Sequence, residues 1–271
     1  MNRPQVFVNG KRVGSEGTTS FPFQEDKIFV FETFKSYRGA IFRLTEHLNR
    51  LFESAKTVGL ELPKSIPELK KELTRCLKSY RNGDLTLRLA VDEQDSYLWI
   101  LERKRPARIY EEGVCLRTSA VRRNIVNAEP PQAKSSAFFN NVLAALGEDD
   151  DEIFDTVFLD SNGYVAEATI WNVFIVKGNQ LWTPRSGILN GVTREFVIKC
   201  AGKEGFPVVE SNLTRHDIWN ADEAFLTNTS GEIVPICSLD GRSVGKRVPG
   251  TMTQKLTARF RRDLEKELKR T

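Results

Sequence analysis

Hydrophobic and polar residues alternate along the first third of the chain, first with the period of strands and then with that of helices. The segment QVFVNGKRV alternates on both sides of Asn9-Gly10, which predicts a β-hairpin with its turn at that pair. Two further strands are predicted in KIFVFETFKSYRGAIFRL, joined around Arg38-Gly39. Helical spacing begins next, with Thr45 as the predicted N-cap. The apolar positions of that helix are Leu44, Leu48, Leu51, Phe52 and Ala55.

The rest of the chain continues the mixture of helices and strands. A second amphipathic helix is predicted in IPELKKELTRCLKSY, and strands are predicted in LTLRLAVD, SYLWILERK and GVCLRTSAV. After a segment without periodicity come the helix SSAFFNNVLAAL, the hairpins TVFLDSNGYVAE and NVFIVKGNQLWTP, the helix TREFVIKCAGKEG, and the strands VVESNL and EAFLTNTSGEIVPI. The chain ends in a helix whose stripe Leu256, Phe260, Leu264 and Leu268 is predicted to face the core. This order predicts a mixed α/β fold.

The segment without periodicity, VRRNIVNAEPPQ, contains two prolines and is the predicted connection between two domains. We therefore expect a small α/β domain over 1–118, a linker over 119–128 and a larger domain over 129–271.

Composition narrows the class of protein. The 40 basic residues nearly match the 36 acidic ones, so the net charge of +4 gives no reason to expect nucleic-acid binding. We expect no signal peptide and no membrane span, because no apolar run is long enough. The four cysteines form no CxxC pair, which favours reduced thiols over disulfides or a metal site. A cytoplasmic enzyme or binding protein is predicted.

Two charged residues are candidates for chemistry. Lys134 precedes a helix whose apolar residues could wall a partly dry pocket, where an amine can form a Schiff base. Glu167 ends the strand YVAE and could keep a pyridine nitrogen protonated. A solvated lysine and a strand-end carboxylate facing water are the more common interpretations when each residue is taken alone.

Other segments are suited to an anion. Gly187 and Gly191 flank an apolar turn that we expect to be exposed, and Gly191 leads into a helix with Thr193 as a good N-cap. Such a helix start directs N–H groups and a positive dipole end outward, where a phosphate can bind. The polar turn Asn228 to Gly231 offers similar groups, or is only a tight loop. Arg50 is expected to form a surface salt bridge unless it reaches a phosphate.

From about Phe31 to its C-terminus the chain resembles the class IV aminotransferases, which are pyridoxal phosphate (PLP) enzymes of fold type IV. The matching segments, in family order and spacing, are VFETFKSYRGAIFRLTEHLNRLFESA, AKSSAFFNNVLA, LDSNGYVAEATIWNVFIV, LWTPRSGILNGVTREFVI and ADEAFLTNTSGEIVPI. The family includes branched-chain and D-amino acid aminotransferases and aminodeoxychorismate lyase.

The resemblance implies a role for each matching position. Lys134 would carry the cofactor as a Schiff base and shuttle the proton, and Glu167 would pair with the pyridine nitrogen. The phosphate would be bound by Arg50, Val192, Thr193 and Thr229, and Leu189 would pack on the ring face. On the substrate side, the resemblance implies Arg88 and the backbone of Ser230 and Gly231, close to the substrate carboxylate.

The resemblance also implies a two-domain fold with a smaller α/β domain and a larger pseudo-barrel domain, and a homodimer. Three departures from the family pattern bear on the substrate pocket. Phe139 stands where branched-chain enzymes usually carry a tyrosine near the cofactor hydroxyl, and Thr86 replaces another pocket tyrosine. The segment VDEQDSY is shorter than the glycine-containing loop that usually lines the pocket. They leave the cofactor chemistry intact and bear on specificity.

Three functions follow from the resemblance. The preferred one is transfer of an amino group between an amino acid and a 2-oxo acid. The amino acid would be of the branched-chain type, with glutamate and 2-oxoglutarate as the second pair. D-amino acid and amine transaminases are variants of this function. The second is aminodeoxychorismate lyase, which would use Lys134 to release pyruvate and 4-aminobenzoate. The third is a PLP-binding scaffold without catalysis, against which the presence of both Lys134 and Glu167 argues.

Overall fold

A computed structural model provides the fold and describes residues 5–13, 28–78, 80, 83–102, 104–123, 130–136, 139–146 and 152–269. The chain divides into two compact units. The first comprises Met1–Lys104, Ala133–Ala137 and Glu267–Thr271, and the second comprises Arg105–Gln132 and Phe138–Lys266. Part of the predicted linker 119–128 lies outside the described residues, and the predicted domain boundaries stay predictions.

Within its described residues, the first unit is built on a six-stranded sheet with two helices. Its strands are β1 (Gln5–Val8), β2 (Lys11–Val13), β3 (Val30–Tyr37), β4 (Ala40–Ile41), β5 (Leu85–Val91) and β6 (Ser96–Leu101), and its helices are α1 (Leu44–Val58) and α2 (Ile66–Leu77). The strand order is β2-β1-β6-β5-β3-β4, and each neighbouring pair is antiparallel. The turns at Asn9-Gly10 and Arg38-Gly39 have positive φ at all four residues, as hairpins of this length require. Both predicted hairpins are confirmed.

The core of this unit lies between its helices and the sheet. Leu48 and Leu51 of α1 and Leu69 and Leu73 of α2 are almost fully buried against residues of β3, β5 and β6. Burial of these side chains accounts for the amphipathic pattern from which the helices were predicted.

The start of α1 differs from the prediction. Arg43 is the N-cap residue, in the left-handed region at φ 50°, and Thr45 lies inside the first turn and is exposed. The side chain of Arg43 forms two hydrogen bonds with Glu267, at 3.2 and 2.8 Å. The short β4 turns directly into the helix, so the helix begins before the residue with the stronger capping propensity.

In the part of the second unit that the structure describes, the strands form a nine-stranded sheet. Its strands are β7 (Val114–Thr118), β8 (Asp155–Leu159), β9 (Val165–Ala168), β10 (Asn172–Lys177), β11 (Gln180–Pro184), β12 (Val208–Ser211), β13 (Glu223–Asn228), β14 (Glu232–Leu239) and β15 (Arg242–Ser243). Their order is β12-β11-β10-β13-β14-β7-β8-β9, with β15 on β14. The helices are α3 (Arg108–Glu111), α4 (Phe139–Leu146), α5 (Val192–Lys203), α6 (Arg215–Trp219) and α7 (Thr251–Leu268), of which the last two residues belong to the first unit. The predicted α/β fold class is confirmed.

The C-terminal helix carries its predicted apolar stripe. Leu256, Phe260 and Leu264 are buried, Leu268 is half-buried, and the ring of Phe260 meets that of Phe196 in α5 edge-on at 5.0 Å. The core-facing interpretation of the stripe is therefore confirmed. Among the described residues, no helix combines the length and hydrophobicity needed to cross a membrane.

The four cysteines are free thiols. Cys76 and Cys200 are buried, whereas Cys115 on β7 and Cys237 on β14 are partly exposed. The sulfur atoms of these two lie 3.2 Å apart on neighbouring strands. Burial and the Cys115 thiol beside it raise the pKa of Cys237 to about 11, so this thiol is protonated at neutral pH.

Candidate functional site

Lys134 is fixed through its backbone in the first unit. Its N–H donates to the hydroxyl of Ser54 on α1 at 2.9 Å, and its carbonyl accepts from the N–H of Phe31 on β3 at 2.9 Å. The amine Nζ lies 4.4 Å from the centroid of the Phe31 ring. Lys134 is half-buried, so the solvated surface role that is common for a lysine does not describe it.

The same aromatic ring receives a second cation. Arg88 lies on β5, opposite Thr33 of β3, and its guanidinium carbon is 5.7 Å from the Phe31 centroid. Two predicted site residues, Lys134 and Arg88, thus both contact the ring of Phe31. Rings attract cations through their negative faces, so Phe31 holds both charges at defined positions.

Arg50 is buried, and the prediction of a surface salt bridge is wrong. It is only 8% exposed and binds Glu32, a carboxylate with no exposed surface, through Nε to Oε1 at 2.6 Å and Nη2 to Oε2 at 2.8 Å. The sequence of α1 alone could not predict this ion pair, because the partner carboxylate, Glu32, lies on β3.

His47 completes this cluster. Its Nδ1 lies 2.8 Å from Oε2 of Glu32, and its Nε2 is buried without a hydrogen-bond partner in the part of the chain that the structure describes. Burial alone would raise the pKa of Glu32, but the charge of Arg50 and the contacts with His47 outweigh it and lower that pKa to about 2. Burial lowers the pKa of His47, and Arg50 and Lys134 oppose its protonation further, although Glu32 favours it. The cluster therefore holds an ionised Glu32, a cationic Arg50 and a neutral His47 at neutral pH.

Sequence reasoning missed Glu32 and His47. The signal for Glu32 is a carboxylate in the otherwise apolar start of β3, whose first three residues are all buried. The signal for His47 is its place three residues before Arg50, on the same face of α1. Neither signal predicts which residues contact each other, because Glu32 lies on a strand and its partners lie on a helix.

Glu167 lies on β9 in the second unit and is also buried, at 5% exposure. Its Oε1 accepts from Nη2 of Arg123 at 2.7 Å, and its Oε2 accepts from Nδ2 of Asn172 and from the N–H of Leu189, both at 3.0 Å. The water-facing interpretation of this carboxylate is wrong. These donors hold it in one orientation.

Arg123 and Asn172 are further residues that sequence reasoning missed. Arg123 also donates to Oδ1 of Asn141 at 2.9 Å, and Asn172 donates to the carbonyl of Leu189 at 2.9 Å. The structure therefore joins Glu167 and Leu189, two predicted site residues, directly and through Asn172. Arg123 lies in a segment without periodicity, and nothing in that segment indicates that the side chain is buried or that its partner lies on β9.

The loop before α5 differs from the prediction in two respects. Ile188 is buried at 2% exposure, so the turn flanked by Gly187 and Gly191 is not an exposed apolar turn. Gly191 is the N-cap residue, and Thr193 lies inside the helix and is buried. A side chain at Gly191 would collide with Oδ1 of Asn172, which explains why glycine occupies the N-cap position. The first N–H groups of the helix, including those of Val192 and Thr193, have no acceptor within the helix.

The polar turn between β13 and β14 is present. Thr229 and Ser230 are half-buried in it, and Gly231 is buried. The N–H of Gly231 and the hydroxyl of Ser230 both donate to Oδ1 of Asn228, at 2.7 and 3.3 Å. The Gly231 N–H is thus already used within the turn.

Each of the two units, taken by itself, contains a cluster with groups suited to binding PLP. The first unit has the amine of Lys134 and the guanidinium of Arg88 on the Phe31 ring, and the buried carboxylate of Glu32. The second unit has the buried, oriented carboxylate of Glu167 and the start of α5. The buried hydroxyl of Thr227, next to the polar turn, has no hydrogen-bond partner within the described ranges, which fits a further polar group from a ligand. Among the described residues, no group of three or more His, Cys, Asp or Glu side chains could hold a metal ion. The structure does not describe the side chain of Phe139, the residue at the usual tyrosine position.

Comparison with known proteins agrees with this chemistry. The family model described as amino-transferase class IV matches residues 29–239. The branched-chain-amino-acid aminotransferase of Pseudomonas aeruginosa is 34% identical over 249 residues, which cover 84% of this chain and 81% of that protein.

Solved structures match nearly the whole chain. The branched-chain aminotransferase of Thermoproteus uzoniensis with norvaline aligns at a TM-score of 0.83 and 31% identity, over 96% of this chain and 94% of that one. The branched-chain amino acid aminotransferase of T.th. with pyridoxamine 5'-phosphate aligns at a TM-score of 0.88 and 25% identity, over 97% of this chain and 95% of that one.

Proposed function

Because the chain belongs to the class IV aminotransferases, we propose that it transfers the amino group between a branched-chain amino acid and a 2-oxo acid, with PLP as its cofactor. The predicted family, the enzyme class and the cofactor are confirmed. Glutamate and 2-oxoglutarate are the proposed second pair. The relative and the two structures described above are branched-chain enzymes, and they give no support to the lyase alternative.

The placement of Lys134 is the observation that carries this proposal. Its backbone is hydrogen-bonded on both sides, so the side chain leaves a fixed point, and its amine rests on the Phe31 ring. An amine held in this way can bind an aldehyde covalently. Once the amine of the substrate has displaced it from the aldehyde carbon, the free Nζ can take up and return a proton. When bound, PLP draws electrons from the substrate carbon that loses this proton.

Glu167 is proposed as the partner of the pyridine nitrogen. Arg123, Asn172 and the Leu189 N–H hold its two oxygens, so it cannot rotate away, and its hydrogen bonds favour the ionised form. An ionised carboxylate in a buried place stabilises a protonated nitrogen beside it. We assign the ring face to Leu189, whose backbone is anchored to the same cluster.

The phosphate is assigned to Arg50, Val192, Thr193 and Thr229. The start of α5 offers N–H groups without helical acceptors and the positive end of its dipole. Glu32, which also contacts His47, fixes the guanidinium of Arg50, so that an anion would meet an already oriented cation. Lowering the freedom of a binding group before the ligand arrives strengthens binding.

The substrate is assigned to Arg88 and to the turn of Ser230 and Gly231. Arg88 is held on the Phe31 ring that also carries Lys134, which supports a role beside the reacting amine. A homodimer and a cytoplasmic location complete the proposal; they rest on the family resemblance and on the composition of the chain.

The visible spectrum of the purified PLP-bound protein tests this function. L-leucine and L-glutamate should each convert the cofactor from its aldehyde form to its amine form, and a 2-oxo acid should reverse the change. The variant Lys134→Ala should not complete this cycle at a comparable rate, whereas Lys56→Ala, an exposed lysine on α1, should behave as the wild type. Bound PLP that does not respond to any amino acid would contradict the proposal.

A further inference from the structure

The turn between β13 and β14 is fixed by one side chain. Oδ1 of Asn228 accepts from the Gly231 N–H at 2.7 Å and from the Ser230 hydroxyl at 3.3 Å, while its Nδ2 donates to the carbonyl of Ile170 at 3.2 Å. The Gly231 N–H already has this acceptor, so a further donor or a positive charge beside the turn would strengthen the binding of a substrate carboxylate there.

Arg105 lies against this turn. Its Nη2 donates to the Ser230 hydroxyl at 3.3 Å, which in turn donates to Asn228. These hydrogen bonds run in one direction, from the guanidinium through the hydroxyl to the amide oxygen. The cation therefore orients the hydroxyl and places positive charge within hydrogen-bonding distance of the turn.

Two aromatic rings hold Arg105. Its guanidinium carbon is 4.7 Å from the centroid of the Trp171 ring and 5.8 Å from that of Phe154, and the two rings are 5.7 Å apart. Trp171 is 2% exposed, and a side chain at Gly231 would collide with its ring. The arginine, the indole and the glycine are thus packed together, which fixes the direction of the guanidinium.

We propose that Arg105 is a positioning residue that orients the Ser230 hydroxyl and provides the positive charge favouring the substrate carboxylate at this turn. The proposal rests on the proposed function, because it assumes an amino acid substrate. Arg105 would contribute to the binding of any substrate with a carboxylate. Replacing it should not change the reaction of a substrate that lacks a carboxylate.

The variant Arg105→Met tests the proposal because methionine keeps an unbranched side chain against the rings and removes the charge. We expect KM for L-leucine and for 2-oxoglutarate to rise roughly tenfold, with kcat within about twofold of the wild type. Arg105→Lys should recover part of the KM, and Ser230→Ala should raise it by about threefold. The matched control is Arg108→Met, an exposed arginine three residues away, which should leave KM unchanged.

A substrate without a carboxylate separates recognition from folding. The rate at which 3-methylbutylamine converts the cofactor to its amine form should be the same in the wild type and in Arg105→Met. An unchanged KM for L-leucine, or an equal loss with the amine, would overturn the role of Arg105. Failure of the wild type to transaminate L-leucine would instead overturn the proposed function, and it would be seen before any variant is compared.

Discussion

The guanidinium of Arg123 donates to Oε1 of Glu167 at 2.7 Å, and both side chains are more than nine-tenths buried. A buried carboxylate without a partner would take up a proton, because burial disfavours the charged form. The charge of Arg123 therefore favours the ionised form of Glu167, which the proposed interaction with a pyridine nitrogen requires.

Replacing Arg123 should affect the chemical step through Glu167. We expect Arg123→Gln to lower kcat by at least tenfold and to weaken PLP binding, because Glu167 loses the charge of Arg123 and the hydrogen bond that it donates. The dissociation constant of PLP and steady-state kinetics measure this. Arg122→Gln, the exposed neighbour, is the control; equal effects in the two variants would refute the assignment.

Gly191 should not tolerate a side chain. In Gly191→Ala the new methyl group would displace Asn172, which orients Glu167. We expect PLP binding to weaken by at least tenfold, measured by titration of the apoprotein. Gly202→Ala, a helical glycine with open space around it, should bind PLP normally and gain about 0.5–1 kcal/mol of stability. Normal PLP binding by Gly191→Ala would contradict the role of Asn172.

The buried pair of Glu32 and Arg50 should make stability depend on pH in acid. The pKa of Glu32 is lowered from 4.5 to about 2, so its stabilisation is complete above pH 4.5 and is lost as the pH falls towards 2. The free energy of unfolding should decline over that window in the wild type and decline less in Glu32→Gln.

At neutral pH, Glu32→Gln should destabilise the protein by about 3–5 kcal/mol, since it leaves Arg50 buried without its carboxylate. Urea unfolding at a series of pH values measures both effects. The exposed Glu53→Gln is the control and should keep the wild-type profile. A Glu32→Gln profile with the wild-type slope in acid would show that Glu32 is not the group responsible.

The Cys115–Cys237 pair should make alkylation strongly dependent on pH. With a pKa of about 11, Cys237 should react slowly with iodoacetamide at pH 7, and its rate should rise about tenfold per pH unit up to that value. In Cys115→Ala the neighbouring thiol is gone, so the pKa of Cys237 should fall and its reaction at pH 7 should accelerate. Mass spectrometry of the Cys237 peptide follows the reaction; fast alkylation of the wild type at pH 7 would be inconsistent with this geometry.

Local patterns predicted the elements of the fold but not where each helix begins. The Asn9-Gly10 turn was predictable because a two-residue hairpin requires positive φ at both positions. Thr45 and Thr193 were both wrong as N-caps. In the first case Arg43 starts the helix with a hydrogen-bonded partner 224 residues away, and in the second Gly191 is required by the position of Asn172. Long-range contacts decided both starts.

The candidate site shows the same division. Lys134 and Glu167 were identified from their segments and a family resemblance, whereas their surroundings were not. Arg50 was expected at the surface because Glu32, its partner, lies on a strand rather than on its own helix. Arg123 and Asn172 were missed for the same reason, since they reach Glu167 from 44 and 5 residues away. Residue types in a segment indicate chemistry, but the partners that set their charge state come from packing.

Amino-group transfer from L-leucine to 2-oxoglutarate is the measurement that tests the central claim most directly. The PLP-bound protein should form glutamate and the 2-oxo acid of leucine in equal amounts. Lys134→Ala should be slower by at least a hundredfold, because it removes the group proposed to move the proton. Absence of glutamate, or turnover by Lys134→Ala at the wild-type rate, would contradict the account.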